Sequence, residues 1–317
     1  MRNTNFHFVE NLKKYLIISI ALIVVGIVVA VIFGVNMDIN FKGGTRFTYT
    51  YSGELSLDEV SSLAADKLGS QVSVTQSTDI AGTTSKLIVT LTGEQSVTTE
   101  TQQALTDGLA EAYPDNNIEL GDSNTVSPTI ARSFFAKSLF AVALAGLLVV
   151  IYVGIRFRKI GGISAGCMAL VALIHDCLLA FVTCVVFRLQ IDANFMAVIL
   201  TIFGYSLNNT IVIYDRVREN KRLSPGLKVG ELVNKSINET LSRSLFTTIT
   251  TFIAVVTVAV VAEVCGMTTL RSFAIPMAVG LVAGCYSSVC LSGPLWVRWI
   301  WHKEKQAKDK KKKSGKK

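Results

Sequence analysis

The stretch Gly204-Tyr205-Ser206-Leu207-Asn208-Asn209-Thr210-Ile211-Val212-Ile213-Tyr214-Asp215-Arg216-Val217-Arg218-Glu219-Asn220 decides the fold. It begins as the last turns of an uncharged run and breaks into charge at Asp215. An amide in hydrocarbon needs a hydrogen-bond partner, so Asn208 and Asn209 predict a face turned into protein or a wet cavity. Helix–helix hydrogen bonding accounts for such a pair as readily as a polar route through a membrane does.

The whole chain is apolar enough to support a membrane reading. Half of its 317 residues are hydrophobic, 17% are charged and the mean hydropathy is +0.46. An α-helical integral membrane protein follows, rather than a soluble domain of this length. The net charge of +8 is unevenly spread: residues 36–131 carry 13 acids against 4 bases, while ten Lys or Arg crowd the tail from Arg298 onward. That asymmetry signals membrane topology, and nucleic acid is not a predicted partner. All six cysteines fall in or beside apolar runs with no disulfide or zinc spacing, which reads them as small buried apolar residues. No metal or cofactor is expected.

Six spans are predicted. Residues 1–14 are polar, with Lys13 and Lys14 just before a first transmembrane helix at 15–35, long enough to cross roughly 30 Å at about 1.5 Å per residue. The run exceeds a signal-peptide core and no small-x-small site follows it, so it reads as uncleaved. Residues 36–131 form an inserted extracytoplasmic domain of alternating strand and helix patterns: strand 45–51, a helix opened by the capping-box pattern Ser56–Glu59 and stopped near Gly69, strands 71–77 and 85–91 with a turn at Ala81-Gly82, helix 97–113 and a short strand 117–121. The order β-α-β-β-α-β predicts a ferredoxin-like α+β layer pair. Residues 132–297 hold spans two to six, at 134–155, 161–187, 193–214, 245–262 and 273–297. The cytoplasmic loop 215–244 is expected to carry an amphipathic helix along the interface. The tail 298–317 is a basic cytoplasmic end whose lysines, Lys310 to Lys313 with Lys316 and Lys317, read as a disordered arm able to meet anionic lipid. Both termini fall on the cytoplasmic side, with Arg132, Lys137 and Arg188 the exceptions to the positive-inside pattern.

Polar groups inside the spans are the candidate site. His175-Asp176 lies about halfway along span three, where an unpartnered ionisable pair costs several kcal/mol. Asp176 reads as a hydrogen-bonding anchor or a station on a proton or ion route. His175 reads as a satisfied core histidine leaving the helix in another direction. Arg243, at the start of span five, is placed to reach the depth of Asn208 and Asn209. Asp215 and Arg218 are expected to pair at the interface. Asp38 to Thr45, with Gly43-Gly44, joins span one to the domain, and an ordinary turn is its plain local reading. No Ser-His-Asp set, metal spacing or phosphate loop is present, so no enzyme is expected.

Four ordered motifs carry a resemblance. Asp38–Thr45 resembles the Asp-Phe-Thr-Gly-Gly segment, Ala172-Leu173-Ile174-His175-Asp176 the span-three signature, Gly204–Asn220 the Gly-Tyr-Ser-Ile-Asn-Asp pattern, and Leu241-Ser242-Arg243-Ser244-Leu245 the span-five start of the SecF family. The resemblance covers nearly the whole chain. It implies an RND-like half of six transmembrane helices in the inner (cytoplasmic) membrane and a SecD partner. It further implies SecYEG and a YidC-type insertase as neighbours, an unfolded secretory polypeptide as client, and the ion-motive force as driver of export. It makes Asp176, Asn209 and Arg243 ion-relay candidates, Gly204, Tyr205, Asn208, Asp215 and Arg216 a supporting motif, and Asp38, Gly43 and Gly44 a hinge. One position departs: the family's second carboxylate in Asn-Asp is Asn209 here, and an amide cannot bind and release a proton in the physiological range. Three accounts follow. The SecD carboxylate suffices, Asp176 substitutes, or coupling uses another ion or is weak; the first is the working expectation. The competing function is half of an RND-like exporter of lipids or small molecules, for which a domain of about 95 residues is small for an enclosed substrate cavity.

Overall fold

The computed structural model describes residues 6–70, 72–78, 85–93 and 97–314. Helix α1 (Leu12–Phe33) is uncharged beyond Lys14 and stops at Gly34. A one-turn helix, α2 (Ile39–Lys42), follows, capped by Asp38, whose carboxylate accepts from the Ile39 N–H at 2.6 Å. The chain then passes through Gly43 and Gly44 with φ of +84° and +133°. A Cβ on Gly44 would lie 2.0 Å from the Leu91 carbonyl oxygen, so only glycine fits there. The ordinary-turn reading thus gives way to a tightly built joint.

The domain runs β1 (Gly44–Tyr51), α3 (Leu57–Leu68), β2 (Val72–Thr78), β3 (Ser85–Thr92), α4 (Thr99–Ala112) and β4 (Glu119–Val126). The strands order β2-β3-β1-β4 and every neighbouring pair is antiparallel. This is the ferredoxin-like sheet that the element order predicts. Period-two alternation in β1 turns Phe47, Tyr49 and Tyr51 onto Val60, Ala64 and Leu68 of α3 and Leu105 and Leu109 of α4. Ser56 makes no side-chain cap, whereas Thr98 caps α4 through the Thr101 N–H. β4 outruns the expected short strand because it pairs along nearly all of β1, across a register shift at Thr48/Tyr49. The Ala81-Gly82 turn lies outside the described residues.

The bundle consists of α5 (Pro128–Arg156), α6 (Gly162–Val186), α7 (Ala193–Leu223), α8 (Val229–Val264), α9 (Thr268–Ser287), a π-helical stretch (Ser288–Ser292) and α10 (Gly293–Ser314). Among the described residues, six helical paths are long and apolar enough to cross a membrane, Thr268 to Lys310 counting as one. α6 and the α9–α10 path are central, with 50% and 72% of their apolar windows buried, against 11% for α1 and for α8. Outward apolar surface of that extent suits lipid, not water.

Three expectations change. The segment 215–244 is not a loop with a separate interfacial helix: α7 and α8 run on as single helices, leaving only residues 224–228 between them. Lys310 to Lys313 continue α10 and are not a disordered arm; Lys316 and Lys317 lie outside the described residues. Cys167 is exposed, although Cys184, Cys285 and Cys290 are buried.

The segment from Phe6 to Val9 is fastened to α8. Asn238 accepts from the Phe6 N–H at 3.0 Å and donates to the Phe6 carbonyl at 2.9 Å, and Asn234 accepts from the Val9 N–H at 3.0 Å. Two amides one helical turn apart thereby replace the partners a strand would supply.

Candidate functional site: a polar seam between central helices

Two apolar clusters fill the bundle, and polar side chains gather where one gives way to the other. On α7 the change falls between Phe203 and Ile213, and on the α9–α10 path between Leu281 and Val289. Asp176 of α6 lies in this gap and is completely buried. Its Oδ2 accepts from Ser206 Oγ of α7 at 2.7 Å and from Ser287 Oγ of α9 at 2.8 Å. Its Oδ1 lies 3.0 Å from His175 Nδ1. One carboxylate therefore ties three helices, as an intramembrane acid must if it is to be tolerated. The expectation that His175 leaves in another direction is corrected: the ring swings back onto its neighbour and packs against Tyr286, ring centroids 5.9 Å apart. It is only half satisfied, since the buried Nε2 has no hydrogen-bond partner among the described residues.

The seam continues along α7. Asn209, three residues beyond Ser206 on the same face, is buried, and its Nδ2 has no hydrogen-bond partner among the described residues. Thr210 Oγ1 donates to Ser288 Oγ at 2.9 Å, and Ser288 Oγ donates to the Ser206 carbonyl at 3.1 Å. Tyr214 OH lies 2.7 Å from Ser292 Oγ and donates to the Ala165 carbonyl at 3.2 Å. Ser288 and Ser292 bound the π-helical stretch, where the widened turn frees backbone groups and side chains to serve the seam. Close approach of α7 and α9 depends on Gly284, since a Cβ there would sit 2.9 Å from Ser206 Cβ.

The other sequence-singled residues separate into two groups. Gly204, Asn208 and Arg243 are exposed, with open space around Gly204. The expected meeting of Arg243 with both amides does not occur inside this chain: Asn209 points in, Asn208 points out, and the Arg243 side chain has no hydrogen-bond or ion-pair partner among the described residues. Tyr205 OH donates to Thr248 Oγ1 at 2.8 Å, joining α7 to α8. At the end of the bundle, Asp215 pairs with Arg218 at 2.9 Å and with Arg156 at 3.2 Å. Arg216 pairs with Glu239 at 2.6 Å and Glu219 at 2.7 Å.

At the opposite end the joint to the domain is tied to the connection between α6 and α7. The Asp38 N–H donates to the Ile191 carbonyl at 3.0 Å, and the Ile191 N–H to the Asn36 carbonyl at 2.8 Å. Asp38 is buried and pairs with Arg46 of β1. Phe41 of α2 packs against Phe134 and edge-on to Phe135 of α5, ring centroids 5.5 and 5.7 Å away. Asp192 caps α7 through the Phe195 N–H. Burial pushes its carboxyl above the usual carboxylate range; the Phe195 and Asn194 hydrogen bonds pull the other way, and the charge of Asp38 adds a further upward push.

The residues missed in the sequence are Ser287, Ser288 and Ser292, the partners of Asp176, Thr210 and Tyr214. Their signal was present as three serines within six residues of an otherwise apolar span.

The family described as protein export membrane protein SecD/SecF, C-terminal, matches residues 106–302. The chain belongs to the SecD/SecF family. Among relatives, it is 30% identical over 305 residues to protein translocase subunit SecF of Alicyclobacillus acidocaldarius, covering 95% of each chain. It is 31% identical over 299 residues to protein translocase subunit SecDF of Bacillus subtilis, covering 92% of this chain and 38% of that one. The crystal structure of SecDF, a translocon-associated membrane protein from Thermus thermophilus, superposes with a TM-score of 0.77 at 27% identity, over 94% of this chain and 39% of that one. A SecDF crystal structure in a super-membrane-facing form gives 0.68 at 27% identity, over 98% and 41%. This SecD/SecF-family chain thus spans nearly the full length of a SecF relative and about two fifths of the SecDF chains. Its fold is the RND-like membrane architecture of those neighbours.

Proposed function

We propose that the chain is an accessory subunit of the Sec protein translocase, working beside a SecD-type half to turn ion flow across the inner membrane into outward movement of a secretory polypeptide. The carrying observation is mechanical. α6 bears Asp176, α7 bears Ser206 and Asn209, and the connection between them at Ile191 is hydrogen-bonded to the root of the domain at Asn36 and Asp38. A proton arriving on Asp176 or leaving it changes what holds α6 against α7, and that change reaches the domain through backbone pairs and the Asp38–Arg46 pair. In this reading both termini are cytoplasmic, residues 36–131 are extracytoplasmic, and Asp38, Gly43 and Gly44 act as a stiff joint.

Asp176 is the one carboxylate buried among the transmembrane helices in the described residues. That favours Asp176 as this chain's own proton-holding group over reliance on the SecD carboxylate alone. Exposed Gly204, Asn208 and Arg243 suit a face that a SecD-type half covers, with Arg243 meeting that half instead of Asn209. The SecDF relatives, which run well beyond the part matched here, support such a pairing. SecYEG is the channel served, and a YidC-type insertase a further neighbour. No catalytic step is assigned to any residue.

Depleting the chain with its SecD-type partner tests the proposal. Export of a pulse-labelled secretory protein is expected to slow, and the slowing is expected to depend on membrane potential. Unchanged export, with copurification of lipid or an outer adaptor instead of SecYEG, would favour an RND-like exporter of lipids or small molecules.

A further inference from the structure

Two recesses share the corner where α5 passes into α6. The first, about 560 Å³, is ringed by Arg156, Arg158, Lys159, Arg218, Lys221 and Arg222. Asp215 is the acid bonded to this ring, and it is committed to Arg156 and Arg218. Lys221 Nζ donates to the Lys159 carbonyl at 3.2 Å, and Arg158, Lys159 and Arg222 have no carboxylate partner among the described residues. Cations this crowded repel one another unless an anion lies among them.

The second recess, about 860 Å³, continues from Ile155 and Arg158 along the outer flank of α5 and α6, past Val150, Ile151 and Ile163. Ile151, Ile155 and Ile163 are 48%, 67% and 73% exposed, so the trough opens sideways towards lipid. Trp299 and Lys303 of α10 stand at its rim, with Lys303 Nζ 5.7 Å from the Trp299 ring centroid. An exposed tryptophan at the end of a membrane helix marks headgroup level. An apolar trough at acyl depth therefore ends in a basic basin at headgroup depth.

We propose that this corner binds one anionic phospholipid, its phosphate in the Arg158–Lys221–Arg222 basin and an acyl chain along the α5–α6 trough. The charge imbalance selects an anionic headgroup, and the trough selects a lipid over a free phosphate or an acidic peptide. The site lies apart from the lysine-rich end of α10 and independent of ion coupling at Asp176.

The full-length chain in mild detergent, titrated with dioleoylphosphatidylglycerol or dioleoylphosphatidylcholine and read by native mass spectrometry, tests the site. One phosphatidylglycerol is expected to be held where phosphatidylcholine is not. Each basic residue near an anionic surface contributes about fivefold, so Arg158→Gln with Lys221→Gln and Arg222→Gln should weaken it on the order of a hundredfold. If the triple variant does not purify, Arg158→Gln alone is expected to lose about fivefold. Lys308→Gln with Lys310→Gln and Lys311→Gln, in the tail, should leave binding unchanged. Glycerophosphoglycerol, the headgroup without chains, should not displace the lipid. Wild-type affinity in the basin variants, loss in the tail variant, or displacement by the bare headgroup would each overturn the assignment.

Discussion

Replacing Asp176 by Asn separates its proton from its place in the packing. The carboxylate makes three contacts: two serine hydroxyls on Oδ2 and the His175 ring on Oδ1. An asparagine oxygen in the Oδ2 position still accepts from Ser206 and Ser287, and its NH2 faces a His175 Nδ1 that can accept. Charge-assisted bonds worth about 1.5–3 kcal/mol become neutral ones of about 0.5–1.5 kcal/mol, while the cost of burying a charge disappears. The two changes nearly offset, so the fold should shift by about 1 kcal/mol at most. Asp176→Leu instead strands the Ser206 hydroxyl and the His175 ring, at about 1–3 kcal/mol each. Ser287 suffers less, because the Gly284 carbonyl lies 3.3 Å from its Oγ. The leucine variant should therefore melt well below wild type and the asparagine variant near it.

Export should behave differently. One charge moved through 100 mV carries about 2.3 kcal/mol, or roughly fiftyfold in an equilibrium. A folded Asp176→Asn variant should lose the potential-dependent part of export measured on a pulse-labelled secretory protein. Wild-type export by that variant would refute the reasoning and leave Asp176 as helix glue.

Three more outcomes are expected. Asn209→Asp adds a second carboxylate one turn from Ser206; export should persist with an altered pH dependence, and complete inactivation would show that the neutral amide is required. Gly44→Ala forces a Cβ into the Leu91 carbonyl at a φ of +133° and should cost about 2 kcal/mol or more, read as a lower melting midpoint of the full chain and slower export; an unchanged midpoint would contradict the tight-joint account. Asp192 binds its proton more tightly in the folded chain than when unfolded, so its ionisation takes stability away as pH rises through the raised native value. Asp192→Asn keeps the helix cap without that loss and should melt above wild type at pH 7, the gap closing as pH falls to about 4; a lower midpoint at pH 7 would reverse the sign argued here.

The elements were legible because their signals are local. Uncharged runs of span length, the 2.0 and 3.6 periodicities and the glycine stop at Gly69 each read out a few adjacent residues, and the β-α-β-β-α-β order already implied the sheet. Misreadings arose where helices ignored a change of solvent. α7 and α8 carry their hydrogen-bond ladders straight through charged sequence, so the amphipathic helix expected within 215–244 is the start of α8 and not a separate interfacial helix. Ser56 has the capping residue without the capping bond. In the site, Asp176 stood out by charge alone, but Ser287 and Ser288 are 111 and more residues away and small enough to pass in an apolar span.

Composition and order along the chain established by themselves that this is a six-span membrane protein with one inserted α+β domain, because hydrocarbon admits so few kinds of backbone. Which of two adjacent amides turns inward, that His175 folds back onto Asp176, and that Asp38 is pinned to Ile191 were decided only by packing. Helix rotation and close approach at Gly284 depend on every neighbouring span at once, and no window of adjacent residues contains that information.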